Sequence, residues 1–349
     1  MPAKGRIAQR ARIRKTFTGE SAQHAQEQLL SSAELIPAAT DRQAALESQV
    51  MLSLGGGREY WAHPLGIASV LPFKNRIIII LDGATQSYGQ PFEMNLHAAQ
   101  LVLPYAEPEI QVNGVIGLRV SGMSGRDLSL THLERGGEVI LRGVKGTRWH
   151  EILSELKDNY REAGLVPLWH LDKQSRHEID HENAYRKIVN YGTVISWLGS
   201  GLLRRVALWH TASTAYTTSS WKSDGDWVFE LDSYYGIGND HGKFLSLLMD
   251  AKWGIDLKVE KYTCECKAPW SSSPYHMKAC YYYLTNRDSS IPGRLQLRFR
   301  TLGPAYEVQD REQFLEAGAE PSWVDRVYPA LRKDEKASTQ SSLVSRRSK

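Results

Sequence analysis

Four consecutive isoleucines, Ile77-Ile78-Ile79-Ile80, constrain the fold more than any other stretch. A strand turns successive side chains to opposite faces, so an unbroken apolar run predicts a central strand covered on both sides. Ile67–Pro72 precedes it across Phe73-Lys74-Asn75 as a hairpin partner. Three more strands are expected at Gly117–Val120, Asp127–Thr131 and Val139–Leu141, with turns at Ser124-Gly125 and Arg135-Gly136-Gly137 between them, as in a meander. Later come Thr211–Trp221 with Trp227–Leu231, then Leu257–Thr263, then a last hairpin of Cys280–Leu284 with Arg294–Leu302.

Helical patterns fill the intervals. A basic helix is expected over 5–16, and a second opens after Ser21 as its N-cap. Asp41 is placed to cap Arg42–Leu54, which Gly55-Gly56-Gly57 stops. Glu93–Leu103 is a short helix. Thr147 is placed to cap Arg148–Ala163, whose Trp149, Ile152, Leu153 and Leu156 form an apolar stripe. Ile188–Trp209 reads as one long core helix interrupted by glycines, Asp240 as the cap of a helix reaching Met249, and Asp310–Glu316 and Ser322–Leu331 as closing helices. Strands in antiparallel groups with helices beside them give an α+β fold. The expected organisation is a basic helical segment over 1–57, α+β units over 58–170 and 171–331, and a disordered basic tail over 332–349. No internal repeat shows.

Charge is unevenly placed. The net charge is +4, yet residues 1–15 carry +6 and residues 331–349 carry +4, which leaves −6 on the body. Basic ends of this kind are suited to nucleic acid or another polyanion, through phosphate contacts and counterion release, or to an acidic protein partner. The candidate contacts are Arg6, Arg10, Arg12, Arg14 and Lys15. A second set is the face of the last strand, Arg294, Arg298 and Arg300, with Tyr281, Tyr282 and Tyr283 on its partner strand for stacking. Apolar residues make up 42%, enough for a core, but no run is long enough for a membrane span. No apolar stretch follows the N-terminal cations and the three cysteines are an odd number, so the expected compartment is the cytoplasm.

The segment Thr18-Gly19-Glu20-Ser21, followed by Ala25 and Leu29 at helical spacing, resembles the corresponding turn of ribbon-helix-helix antitoxins and small transcription factors. It is also similar to the N-termini of uncharacterised bacterial proteins. The first resemblance implies DNA binding.

Two constellations offer metal chemistry. Cys264, Cys266, His276 and Cys280 make a Cys3His set, the soft-donor combination that holds structural zinc. His177-Glu178-Ile179-Asp180-His181 matches His-Glu-x-x-His. There His177 and His181 share a helix face as ligands and Glu178 polarises a metal-bound water, the arrangement of a zinc-dependent hydrolase. No Walker loop, Rossmann glycine fingerprint or nucleophile elbow is present. The reading is therefore a non-enzymatic nucleic-acid- or protein-binding accessory protein with a zinc loop, with the hydrolase as its alternative.

Overall fold

The computed structural model describes residues 2–303 apart from 33, 57–62, 83–85, 88–89, 92–93, 109–110, 135, 189–194, 212–217, 224–225, 235–240, 270–272 and 274–275. The expected closing helices, the basic tail and Asp240 as a cap lie outside these residues. The fold is α+β.

Its helices are α1 (Pro2–Thr18), α2 (Ala22–Ser31), α3 (Asp41–Leu54), α4 (Met94–Val102), α5 (Trp149–Glu162), α6 (Arg176–Ile188), α7 (Ser196–Leu203) and α8 (His241–Leu248). The long strands are β1 (Ile67–Pro72), β2 (Arg76–Leu81), β3 (Leu118–Ser124), β4 (Asp127–His132), β5 (Glu138–Arg142), β6 (Thr218–Ser223), β7 (Asp226–Tyr234), β8 (Leu257–Cys264), β9 (Lys278–Asn286) and β10 (Arg294–Leu302). Two minor sheets of two-residue strands accompany them.

The two large sheets have the same design. The first runs β1-β2-β5-β4-β3 and the second β6-β7-β10-β9-β8. In each, a hairpin leads, a meander follows, and the last meander strand lies parallel to the second hairpin strand while all other pairs are antiparallel. A helix precedes each hairpin (α3, α7), and another sits between hairpin and meander (α4, α8). The chain thus builds one αββαβββ plan twice, although its sequence shows no repeat. The two leading helices pack on each other closely enough that a Cβ on Gly199 of α7 would stand 2.6 Å from Ser48 Cβ of α3 and 2.5 Å from the Trp227 ring.

One hydrophobic cluster runs from Phe17 and Leu46 through Ile77, Trp149 and Leu202 to Trp227 and Leu297. The expected boundaries at 57 and 170 therefore do not partition the core, and α3 belongs with the first sheet. Ile77 and Ile79 join this cluster, while Ile78 packs with Leu71 and Ile140 in a separate one. The isoleucine strand is buried on both faces, as its lack of alternation predicts. A buried ion pair ties the leading helices: Arg204 Nε and Nη2 donate to Glu47 at 2.7 and 2.6 Å, and the Ser200 hydroxyl donates to the same carboxylate at 2.6 Å.

Some local expectations change. Thr40, not Asp41, caps α3, accepting from Gln43 N at 3.4 Å. Thr147 does not cap α5; its hydroxyl donates to Val144 O at 2.8 Å. The expected long helix over 188–209 is instead α7 followed by a 3-10 turn, Val206–Thr211. Ser21 caps α2 as expected, accepting from His24 N at 3.2 Å.

Candidate metal centre

The second sheet brings two distant parts of the chain to its end. In β8 and β9 the cross-strand register sets Cys264 directly opposite Cys280, and Cys280 in turn lies beside Phe299 of β10. Opposed residues of an antiparallel pair project to the same face, so both thiols stand together. Cys266 follows just past the end of β8. Across this face lies α8, whose Phe244, Leu245 and Leu248 are buried. Phe244 stacks on Trp209, with centroids 4.6 Å apart, and meets Phe299 edge-on at 5.7 Å. That packing fixes the helix and sets its first residue, His241, over Tyr282 and Phe299 at ring distances of 5.4 and 5.8 Å.

The result is a Cys3His cluster with His241 as its imidazole. Cys264 Sγ lies 2.9 Å from Cys266 Sγ, 3.4 Å from Cys280 Sγ and 3.6 Å from His241 Nε2, and Cys266 Sγ lies 4.0 Å from that nitrogen. All four ligand atoms fall within 4.8 Å of one another, close enough to hold one metal ion. A tetrahedral ion with bonds of about 2.3 Å sets its sulfurs about 3.8 Å apart. The cluster therefore stands at, or slightly inside, the spacing such an ion imposes. Even the shortest gap exceeds a disulfide bond of about 2.05 Å, and the three cysteines are free thiols.

The thiols differ electrostatically. Burial and the hydrogen bond with Cys264 raise the Cys280 pKa to about 12. Burial also pushes Cys264 up, but hydrogen bonds from Cys266, Cys280 and Tyr282 outweigh it and leave that thiol below its ordinary range. Cys266 is raised by its contact with Cys264 and by burial. A divalent cation among them would reverse this order by stabilising every thiolate.

His276 is the correction. It sits in the link after β8, half-buried, with its N–H donated to Ser273 O at 3.1 Å, and it is not part of the convergent group. The imidazole comes from 23 residues before Cys264. One signal was available: His241, Phe244, Leu245 and Leu248 lie at helical spacing, so the histidine is in phase with the apolar stripe facing the sheet.

The His-Glu-x-x-His helix is built differently. Glu178 is fully buried and accepts four hydrogen bonds: Arg119 Nη1 at 3.0 Å and Nη2 at 2.8 Å, Gly117 N at 2.9 Å and Ser175 N at 2.8 Å. Ser175 Oγ accepts from Glu178 N at 3.2 Å in return, so Ser175 and Glu178 form a reciprocal capping box at the start of α6. Burial pushes the carboxyl pKa up, but the Arg119, Ser175 and Gly117 hydrogen bonds win and hold it low. Its oxygens are occupied, so it has no lone pair directed at a water. His181 Nδ1 accepts from Val112 N at 3.1 Å. His177 lies half-buried on the same helix, and it joins no cluster of three or more ligand residues among the described residues. The hydrolase alternative loses its general base to a structural role.

The expected phosphate contacts scatter. Arg14 is buried, paired with Glu20 at 2.8 Å and donating to Leu35 O at 2.6 Å. Arg6, Arg12 and Lys15 are exposed and Arg10 is half-buried. On β10 each arginine lies opposite an acid of the parallel strand β7: Asp226 beside Arg294, Glu230 beside Arg298, Asp232 beside Arg300. The ion pairs measure 2.7 Å for Arg294–Asp226, 3.7 Å for Arg298–Glu230 and 2.5 Å for Arg300–Asp232. That face is a neutralised ladder and not a basic patch. The tyrosines also divide, because neighbours on a strand alternate. Tyr281 and Tyr283 lie under Arg298 and Arg294, while Tyr282 faces the thiols and His241.

No protein-family model matches this chain, and no match was found among curated proteins or among solved structures. No helix among the described residues is long and apolar enough to cross a membrane.

Proposed function

We propose that the chain is a non-enzymatic binding protein that holds one zinc ion with His241, Cys264, Cys266 and Cys280, and that the ion's role is structural. The observation that carries this is the convergence of the four ligand atoms within 4.8 Å. Three thiolates and an imidazole are the donor set zinc takes in closed, four-ligand sites, which leave no open position for a substrate. A comparison of the two sheets supplies the reason for an ion. In the first, β3 and β4 are joined by the tight turn Ser124-Gly125-Arg126-Asp127, with Ser124 paired to Asp127. In the second, the equivalent strands are separated by residues 265–277, and the cluster sits where that link leaves and re-enters the sheet. An ion there fastens the link to α8.

Elemental analysis of the purified protein tests this. One zinc per chain is expected, lost in Cys264→Ser and His241→Ala and kept in His276→Ala and His177→Ala. Zinc retained in His241→Ala, or lost in His276→Ala, overturns it.

A further inference from the structure

Arg205 is a cation without a carboxylate. Its neighbour Arg204 takes Glu47, whereas the Arg205 guanidinium donates to two backbone carbonyls, Trp253 O at 2.8 Å and Gly201 O at 3.2 Å. No acid among the described residues pairs with it. Burial and the charge of Arg204 bring its pKa down to about 10, the sign of a cation short of compensation.

This group stands at the junction of two clefts. One, of about 720 Å³, is lined by Arg6, Arg10, Lys252 and Trp253, with Glu34 as its one acid. Arg6 and Arg10 are one helical turn apart, so both present to the same side of α1. The second cleft, of about 610 Å³, shares Ile36 and Arg205 with the first, and its walls include Pro37, Ala38, Ala45, Trp197 and Ile255. Each volume is in the range of small-molecule sites. The paired clefts are therefore cationic at one end and largely apolar at the other, with a buried arginine between.

We propose that this double cleft binds a small amphipathic anion, with its phosphate or carboxylate head among Arg6, Arg10, Lys252 and Arg205 and its apolar body against Trp197 and Ile255. The head supplies the negative charge that Arg205 lacks, and a guanidinium already held by two carbonyls meets it without further ordering. A long polyanion fits less well. The N-terminal cations point to different sides of α1: Arg12 and Lys15 are exposed away from Arg6, and Arg14 is buried against Glu20. The site contains none of the metal ligands and stands independently of the zinc assignment.

Isothermal titration of the full chain with hexyl phosphate, hexanoate, inorganic phosphate and hexanol tests it. Hexyl phosphate or hexanoate is expected to bind at one site per chain, at least about tenfold tighter than inorganic phosphate and hexanol, since both ends of the ligand contribute. Whichever binds tighter identifies the head group. Arg6→Glu with Lys252→Glu changes two exposed residues, leaves folding intact, and should weaken the anion at least about tenfold, with the loss shrinking in high salt. Ala38→Trp, at an exposed wall of the apolar cleft, should weaken hexyl phosphate and leave inorganic phosphate unchanged. Equal binding of inorganic phosphate and hexyl phosphate, no saturable binding of either amphiphile, or binding indifferent to the charge reversals overturns the proposal. Preference for labelled single-stranded DNA over hexyl phosphate through the same residues overturns it as well.

Discussion

Replacing Glu178 with Gln separates a structural carboxylate from a catalytic one. The side chain keeps its shape and loses its charge. Each Glu178 oxygen receives two donors: Gly117 N and Arg119 Nη1 on Oε1, Arg119 Nη2 and Ser175 N on Oε2. Whichever oxygen becomes the amide nitrogen then faces two N–H groups that it cannot accept, and Arg119 is left buried without a counter-charge. Breaking one side of a buried pair costs about 3–5 kcal/mol. At roughly 2–4 °C per kcal/mol for chains of this general size, the thermal midpoint should fall by about 6 °C or more. Calorimetry measures the midpoint and elemental analysis the metal. Zinc content should not change. The same carboxylate carries a pH dependence of fixed sign. Its folded pKa lies below the unfolded value, so its contribution is complete above the ordinary carboxylate range and disappears as pH falls through the folded pKa. A Glu178→Gln protein that melts with the parent, or one that loses its metal, would refute the capping-box account.

Other outcomes follow from the same structure. Stripping the metal with a chelator should speed hydrogen exchange in β8 and β9 while leaving β3 and β4 protected, because only the second sheet carries the ion. Burial lowers the His97 pKa to about 4 from an ordinary 6.5. Stability from this group is whole above pH 6.5 and declines towards pH 4, by about 3 kcal/mol in all; His97→Gln should flatten that part of a denaturant-midpoint profile. Gly199→Ala should destabilise by about 1–3 kcal/mol, since the added methyl meets Ser48 and Trp227 at under 3 Å; a neutral result in urea titration would mean that α3 and α7 are not so closely packed.

How much of this was legible follows from the range of each interaction. Ile77–Ile80 announced a doubly covered strand because burial on both faces is written in consecutive residues. The hairpins and meanders could be read from turn residues and alternation. The thiols were found because all three lie within 264–280. The imidazole was misassigned because proximity in sequence favoured His276, whereas the packing of Phe244 on Trp209 and Phe299 delivers His241. The basic strand face was misread for a related reason. The arginines alternate on β10, but the acids that neutralise them alternate on β7, and only the parallel pairing of those strands sets each opposite its partner.

By itself the sequence determined the secondary elements, the α+β class and the presence of a soft-donor set, since each depends on residues close along the chain. Tertiary structure decided the duplication of the αββαβββ plan, the fourth ligand, the conversion of Glu178 into a helix cap, and the isolation of Arg205 at a cleft. Each of these depends on which groups meet across long stretches of chain, and packing of the common core sets those meetings.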